Sequence, residues 1–350
     1  MYIRFLFCVF IVNFVSVNIL LAQEDLCLNI PDAIVRRYCY GDFDINKDRK
    51  ISSSEALRVT QLIFSYTGIR MLDGLDSFPN LSRIVCRECN DLVYADLSDT
   101  NIQVISTEDF SSCGHLFKIF FPSTLTRIED RAFENCPIHE MSLPESLEYI
   151  GVSAFDRCSN LRYLVIPESV HTLEAGVFAD CTKLCDVVLP SKLTQINNFL
   201  FSRCESLKSI VIPSTVRSIG AFAFESCTSL DNIELPEGVE EIKVSAFINC
   251  EQLKKIKLPK SLKSIQHYVF SDCESLTSVE VSENVVSIAT DAFENCESLV
   301  KFVCKAQLPP TLVGDAPFLN PSVKVYVPVH SLDLYQRTVG WRDLTLVGYE

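Results

Sequence analysis

Little in this sequence is basic, glycine-rich or histidine-rich, and each shortage removes a class of function. The 31 Lys and Arg are outnumbered by 45 Asp and Glu, a formal net charge of −14. No run is more cationic than Lys254-Lys255-Ile256-Lys257, so the phosphate-tracking surface that nucleic acid demands is missing. Glycine supplies 11 of 350 residues, and none builds a phosphate-cradling loop. The five histidines (His115, His139, His171, His267, His330) fall at unrelated phases of the repeat described below, and neither His-Glu-x-x-His nor Gly-x-Ser-x-Gly occurs. Carboxylates are plentiful but dispersed, the pattern of a solvated surface more often than of paired acid catalysis. A non-catalytic protein is therefore expected, with an enzyme as the remote alternative. Charged residues make up only 22% and hydrophobic ones 48%, enough apolar material for a large core and too much for a disordered chain.

The first 22 residues have the layout of a secretory signal peptide: Met-Tyr-Ile-Arg, an apolar run from Phe5 to Ala22, then Gln23-Glu24-Asp25. Cleavage after Ala22 is expected. Asn13, Ser16 and Asn18 interrupt the run, which is barely long enough to span a bilayer, so a retained anchor is the alternative. No other stretch is apolar enough to cross a membrane, and the mature chain is expected to be secreted or held at a cell surface.

Cysteines recur at 113, 136, 158, 181, 204, 227, 250, 273 and 296, at steps of 23 or 22 residues. A phenylalanine precedes each by three residues, from Phe110 to Phe293, and proline recurs at 122, 144, 167, 190, 213, 236 and 259. In the unit from Cys204 to Cys227, Ile210 and Ile212 share one face of a short strand while Val211 points outward. Pro213 ends the strand and fixes a corner, having no N–H and forcing its predecessor into extended geometry. Leu207, Val216, Ile219, Phe224 and Cys227 complete the inward set. One coil cannot bury such a set alone, so nine coils must stack, with strands about 4.8 Å apart. Equivalent thiols on stacked coils point in parallel and cannot aim at one another, so the nine read as a buried ladder rather than bridges. Cys86 and Cys89 form a lone Cys-x-x-Cys that its leucine-rich context also makes core, and Cys27 with Cys39 is the best disulfide candidate.

The unit Leu207-x-x-Ile210-x-Ile212-Pro213 followed by Ile219-x-x-x-Ala223-Phe224-x-x-Cys227 resembles the BspA-like leucine-rich repeat of secreted and surface proteins. It departs at Ser282 and Lys305, where proline is expected, and in the coil from Cys136, which is one residue short. The predicted architecture is an α+β solenoid of roughly 23-residue coils with short parallel strands and a cap at each end. After the signal peptide (1–22) come a helical segment (23–65), transitional leucine-rich repeats (66–108), BspA-like repeats (109–304) and a C-terminal cap (305–350). The cap should carry a strand over Val323 to Pro328 and a helix from Ser331 to Trp341, the single tryptophan.

Recognisable site chemistry is concentrated near the N-terminus. Ile30-Pro31-Asp32 opens an amphipathic helix, a second is expected from Ser54 to about Ile63, and Asp44 to Glu55 lies between. Its spacing fits an EF-hand-like loop: side-chain oxygens from Asp44, Asn46, Asp48, Ser52 and Glu55, the Lys50 carbonyl, and Ile51 pinning the loop to the core. Arg49 stands where such loops place glycine, a strain of roughly 1 kcal/mol that implies weak calcium binding. The other reading is an Asp/Asn-rich turn that caps the helix after it.

Along the strand face the outward column runs Phe120, Ser142, Val165, Val188, Val211, Glu234, Lys257, Glu280 and Val303. Val165, Val188 and Val211 make an apolar stripe leading into Glu234, Lys257 and Glu280, either a ligand-contacting strip or simply β-branched residues suited to strands. The resemblance implies adhesion to a protein or glycan at a cell surface or in the extracellular matrix. A passive structural part of the envelope is the alternative.

Overall fold

The computed structural model describes residues 28–314, 319–320 and 322–350. The expected signal peptide and Cys27 lie outside the described residues. The described chain is a solenoid with two parallel strand ladders. The short ladder runs from Gln61–Ile63 through Arg83–Val85, Val104–Ile105, Arg127–Ile128 and equivalent two- or three-residue strands to Thr311–Val313. A long ladder runs from Met71–Leu72 through Tyr94–Asp96, Lys118–Phe120, Tyr163–Val165 and Asp186–Val188 to Lys255–Lys257, Ser278–Val281, Lys301–Cys304, Lys324–Pro328 and Thr345–Tyr349. Pairing is parallel throughout, with residues about 23 apart in register, such as Val188 beside Val165 and Ile219 beside Ile196.

The recurrent residues do the stacking. Phe110 to Phe293 form an unbroken column of rings, neighbours 5.1–5.9 Å apart and 2–20° from parallel. Cys113 to Cys273 are fully buried beside it. Each thiol donates to a carbonyl of an earlier coil, Cys204 to Phe178 at 3.2 Å and Cys227 to Phe201 at 3.2 Å, so the ladder satisfies backbone acceptors that the core would leave bare. Burial pushes the thiols of Cys181, Cys204 and Cys250 well above their ordinary range. Every proline corner closes by an amide three residues on, as Val216 N–H donating to the Pro213 carbonyl at 3.0 Å. Ser282 makes the same turn without proline, at 3.5 Å.

A third axial ladder had no signal in the sequence. The turn before each cysteine from Cys113 to Cys273 places two residues at positive φ, such as Phe199 (57°) and Arg203 (57°). This conformation aims alternate amides along the solenoid: Phe199, Phe201 and Arg203 donate to Ala221, Ala223 and Glu225 of the next coil at 2.7–2.9 Å.

Four expectations change in detail. The second helix spans only Ser53–Ala56, not Ser54 to Ile63. Beyond it Leu62 and Phe64 alternate inward with Ile63 outward, the period of a strand, and Gln61–Ile63 pairs with Arg83–Val85 as the first rung of the stack. Around Ile210 and Ile212 the side chains face as expected, but the strand shrinks to a single bridge, Val211 with Glu234. Past Cys304 the ladders do not stop: Thr311–Val313 and Lys324–Pro328 add rungs, and Thr345–Tyr349 adds a further one to Lys324–Pro328. The cap helix is Leu332–Arg337, with Trp341 buried after it and its indole N–H donating to the Pro310 carbonyl at 2.8 Å.

Candidate functional site

The N-terminal loop is framed by helix α1, Ala33–Asp42, and helix α2, Ser53–Ala56. Asp32 caps α1 by accepting from the Ile34 and Val35 amides at 2.7 and 3.1 Å. Within the loop, Asp44 accepts from the amides of Asp48 (3.2 Å) and Arg49 (2.8 Å), Asn46 from Asp48 (3.0 Å) and Asp48 from Lys50 (2.9 Å). Arg49 has φ 62°, the left-handed conformation that the calcium-loop reading requires of this position. Ile51 is buried, and its carbonyl accepts from Leu28 at 2.9 Å.

Glu55 ties the loop's two ends together. One carboxylate oxygen accepts from the Ile45 amide at 2.7 Å, and the other from the Ser52 amide at 2.9 Å and hydroxyl at 2.7 Å, closing a capping box. These bonds, led by the Ser52 amide, hold its carboxyl down at about 2. The last position of a calcium loop and the third residue of the exiting helix are here the same residue, so the box serves both readings of the loop. Among the described residues, no group of three His, Cys, Asp or Glu side chains is gathered tightly enough to hold a metal ion. The loop has oxygen donors at calcium-loop spacing and the left-handed turn at Arg49, but its carboxylates accept from the loop's own amides rather than converging on one point.

On the strand face, Val165 and Val188 are neighbouring rungs, each 46% exposed, and Tyr163 beside them is 53% exposed. Val211 is 84% exposed. Between Val188 and Val211 the long ladder parts, leaving a groove of about 440 Å³ lined by Asp186, Val188, Ser209, Val211 and Pro213 among others. Glu234 lies beside Val211, then the ladder parts again before Lys257, which pairs with Glu280. This second groove, about 500 Å³, holds Glu234, Lys257 and Glu280 together. Lys257 approaches Glu237 at 3.4 Å, and Glu280 is held by Lys305 at 2.6 Å. Sequence reasoning missed Tyr163, which stands two residues before Val165 and so on the same face. It also missed the stacked pair Phe199 and Phe222, rings 5.0 Å apart on the turn column, Phe199 being exposed.

Parallel short strands, stacked inward leucine, isoleucine and phenylalanine, and proline-closed corners define a leucine-rich repeat solenoid, a class that generally binds proteins. Residues 80–208 and 194–311 match the BspA type leucine rich repeat region in 6 copies, and the chain belongs to that family. The solved leucine-rich repeat protein of Bacteroides ovatus ATCC 8483 is 22% identical over 83% of this chain and 92% of its own, with a TM-score of 0.55. The leucine-rich repeat protein of T. pallidum is 28% identical over 56% of this chain and 82% of its own, with a TM-score of 0.41. No curated protein matches. Among the described residues no helix is long and apolar enough to cross a membrane.

Proposed function

We propose that this chain is an exported, non-catalytic binding protein. Its strand face holds a protein or glycan partner at a cell surface or in the extracellular matrix, and calcium occupies the Asp44 to Glu55 loop. The observation that carries the reading is Val211. Strand preference accounts for an outward valine within a ladder, but Val211 sits on a rung reduced to one bridge and is still 84% exposed. With Tyr163, Val165 and Val188 it extends an apolar stripe across an open groove, the kind of surface a partner covers. Calcium would add a bond between the ends of the loop that anchors the first coil, with Asp44, Asn46, Asp48, Ser52 and Glu55 as side-chain donors and Lys50 offering its carbonyl.

The test immobilises residues 23–350 and challenges them with extracellular-matrix proteins and mucin, in calcium and again in chelator. Wild type should capture a partner, and Val188→Glu with Val211→Glu should lose it while melting nearly unchanged. Equal loss of folding and capture would sink the stripe. A calcium-induced rise in melting temperature that Glu55→Gln removes would support the loop, and its absence in wild type would remove calcium from the reading. If nothing is retained in either condition, the passive envelope role takes precedence.

A further inference from the structure

We propose a second binding surface, for an acidic polysaccharide, on the five-stranded sheet at the C-terminal end of the long ladder. It uses none of the apolar stripe and does not rest on it. The first outward residue of each rung there is Lys255, Ser278, Lys301, Lys324 and Thr345, all in register. Lys255, Lys301 and Lys324 are exposed, and among the described residues none has an acidic partner. The neighbouring charges are already matched: Lys254 with Asp231 at 3.9 Å, Lys257 with Glu237 at 3.4 Å, and Lys305 with Glu280 at 2.6 Å. Lys301 and Lys324 are direct neighbours about 5 Å apart, and like charges at that separation destabilise a sheet. Beyond the contact of the Lys301 ammonium with the Tyr326 ring, folding gains nothing from such a pair, least of all in a chain of net charge −14 that has acids to spare. A bound anion would remove the repulsion.

The geometry selects the occupant. Lys255 to Lys324 spans three strand steps, about 14 Å along the solenoid axis, with Ser278 inside that span and Thr345 one rung beyond it. Same-face carboxylates of an extended acidic peptide recur about every 6.8 Å, so two repeats reach from Lys255 to Lys324 but set the middle carboxylate about 3 Å from Lys301. Duplex DNA carries a charge about every 1.7 Å and would face a strongly acidic protein over most of its length. A stiff chain of sugar rings bearing scattered carboxylates or sulfates needs only a few cations in line. Tyr326, beside Lys301 with the ammonium 5.4 Å from its ring centre, adds an aromatic surface for a sugar ring. Exposed Glu234 on the far side of the ladder's break limits the row at its N-terminal end.

The test is retention of residues 23–350 on immobilised alginate, hyaluronan and heparin, with neutral dextran, DNA and polyglutamate as comparisons. Wild type should be retained on at least one acidic polysaccharide and released by salt. Replacing Lys255, Lys301 and Lys324 with Gln should weaken binding on the order of tenfold. Replacing Lys192, Lys208 and Lys243 with Gln, an equal loss of charge elsewhere, should not. Val188→Glu with Val211→Glu should leave retention intact, so failure of either surface is read separately. No retention, equal loss in the control variant, or equal binding to DNA or polyglutamate would overturn the proposal.

Discussion

Replacing Phe224 with Ala tests whether the phenylalanine column couples one coil to the next. The ring is fully buried, 5.6 Å from Phe201 and 5.1 Å from Phe247, and nearly parallel to the latter at 2°. Removing a buried Phe costs about 3–5 kcal/mol, of which each lost ring contact supplies about 0.5–1.5. Backbone bonds persist, since the Phe224 amide still donates to Ala246 at 2.8 Å. The loss therefore falls on the interfaces above and below one coil, where a solenoid's stability resides. Urea unfolding followed by circular dichroism and by the fluorescence of Trp341 provides the assay, because the single tryptophan reports the C-terminal end alone. Wild type should show coincident curves, and Phe224→Ala should separate them. Phe224→Leu, which keeps apolar volume, should cost about 1.5 kcal/mol or less and leave them together. A loss under about 1.5 kcal/mol in Phe224→Ala, with the probes still coincident, would refute the claim that the column carries the coupling.

Asp156 should respond to pH. Burial, with Asp180 and Glu134 adding and Arg157 opposing, pushes its carboxyl up to about 6, and one oxygen is buried without a partner. The folded state thus prefers the proton, and stability falls as pH rises from about 4 to 6. Asp156→Asn should gain about 1 kcal/mol at pH 7.5 and almost nothing at pH 4, and a gain independent of pH would show the cause is not charge. Glu55 has the opposite sign. With its carboxyl at about 2, its stabilisation is present above about 4.5 and lost as pH falls towards 2, so Glu55→Gln should cost about 1–2 kcal/mol in thermal unfolding at pH 7 and little at pH 2. Cys185 is the exposed thiol among the described cysteines, so peptide mapping after brief maleimide treatment should find it labelled before any ladder cysteine.

The period was legible because folding demands the same small set of inward residues in each coil: Phe and Cys recur without gaps, and Pro gives way only at Ser282 and Lys305. The end of α2 was not, because Leu57, Leu62 and Ile63 suit a helix face as well as a strand. Only stacking on Arg83–Val85 decides between them. The parting of the long ladder was also hidden. Rungs that open on Ser209 and Asn232 shrink to one bridge, and Asn232 disfavours a strand, but Ser278 opens a full four-residue strand. In the candidate loop the spacing of the oxygens was plain, whereas the direction of Glu55 towards the Ile45 and Ser52 amides required coordinates.

The turn columns show why outward residues in this chain carry information that folding does not set. A left-handed residue other than glycine costs about 1–2 kcal/mol. Yet Glu108, Arg131, Ser153, Phe199, Phe222, Ser245 and Tyr268 all adopt it at equivalent places. From Glu108 to Ser245 they share the amide bond to the next coil, such as Glu108 to Asp130, Arg131 to Val152 and Ser153 to Ala175, so the conformation there is stabilised by the neighbouring backbone and not by the side chain. Any side chain is then tolerated. The strand face obeys the same rule: Val188 and Lys257 hold the same outward place, while Val187 and Ile256 beneath them are both buried. Clustering along such a column is therefore not a by-product of packing. Strand preference accounts for Val165 and Val188 within their ladder, but Val211 on a rung of one bridge, and lysines side by side at Lys301 and Lys324, need a cause outside the fold. If charge placed on the stripe, or removed from the lysine row, unfolded the chain, that separation of fold from surface would be wrong.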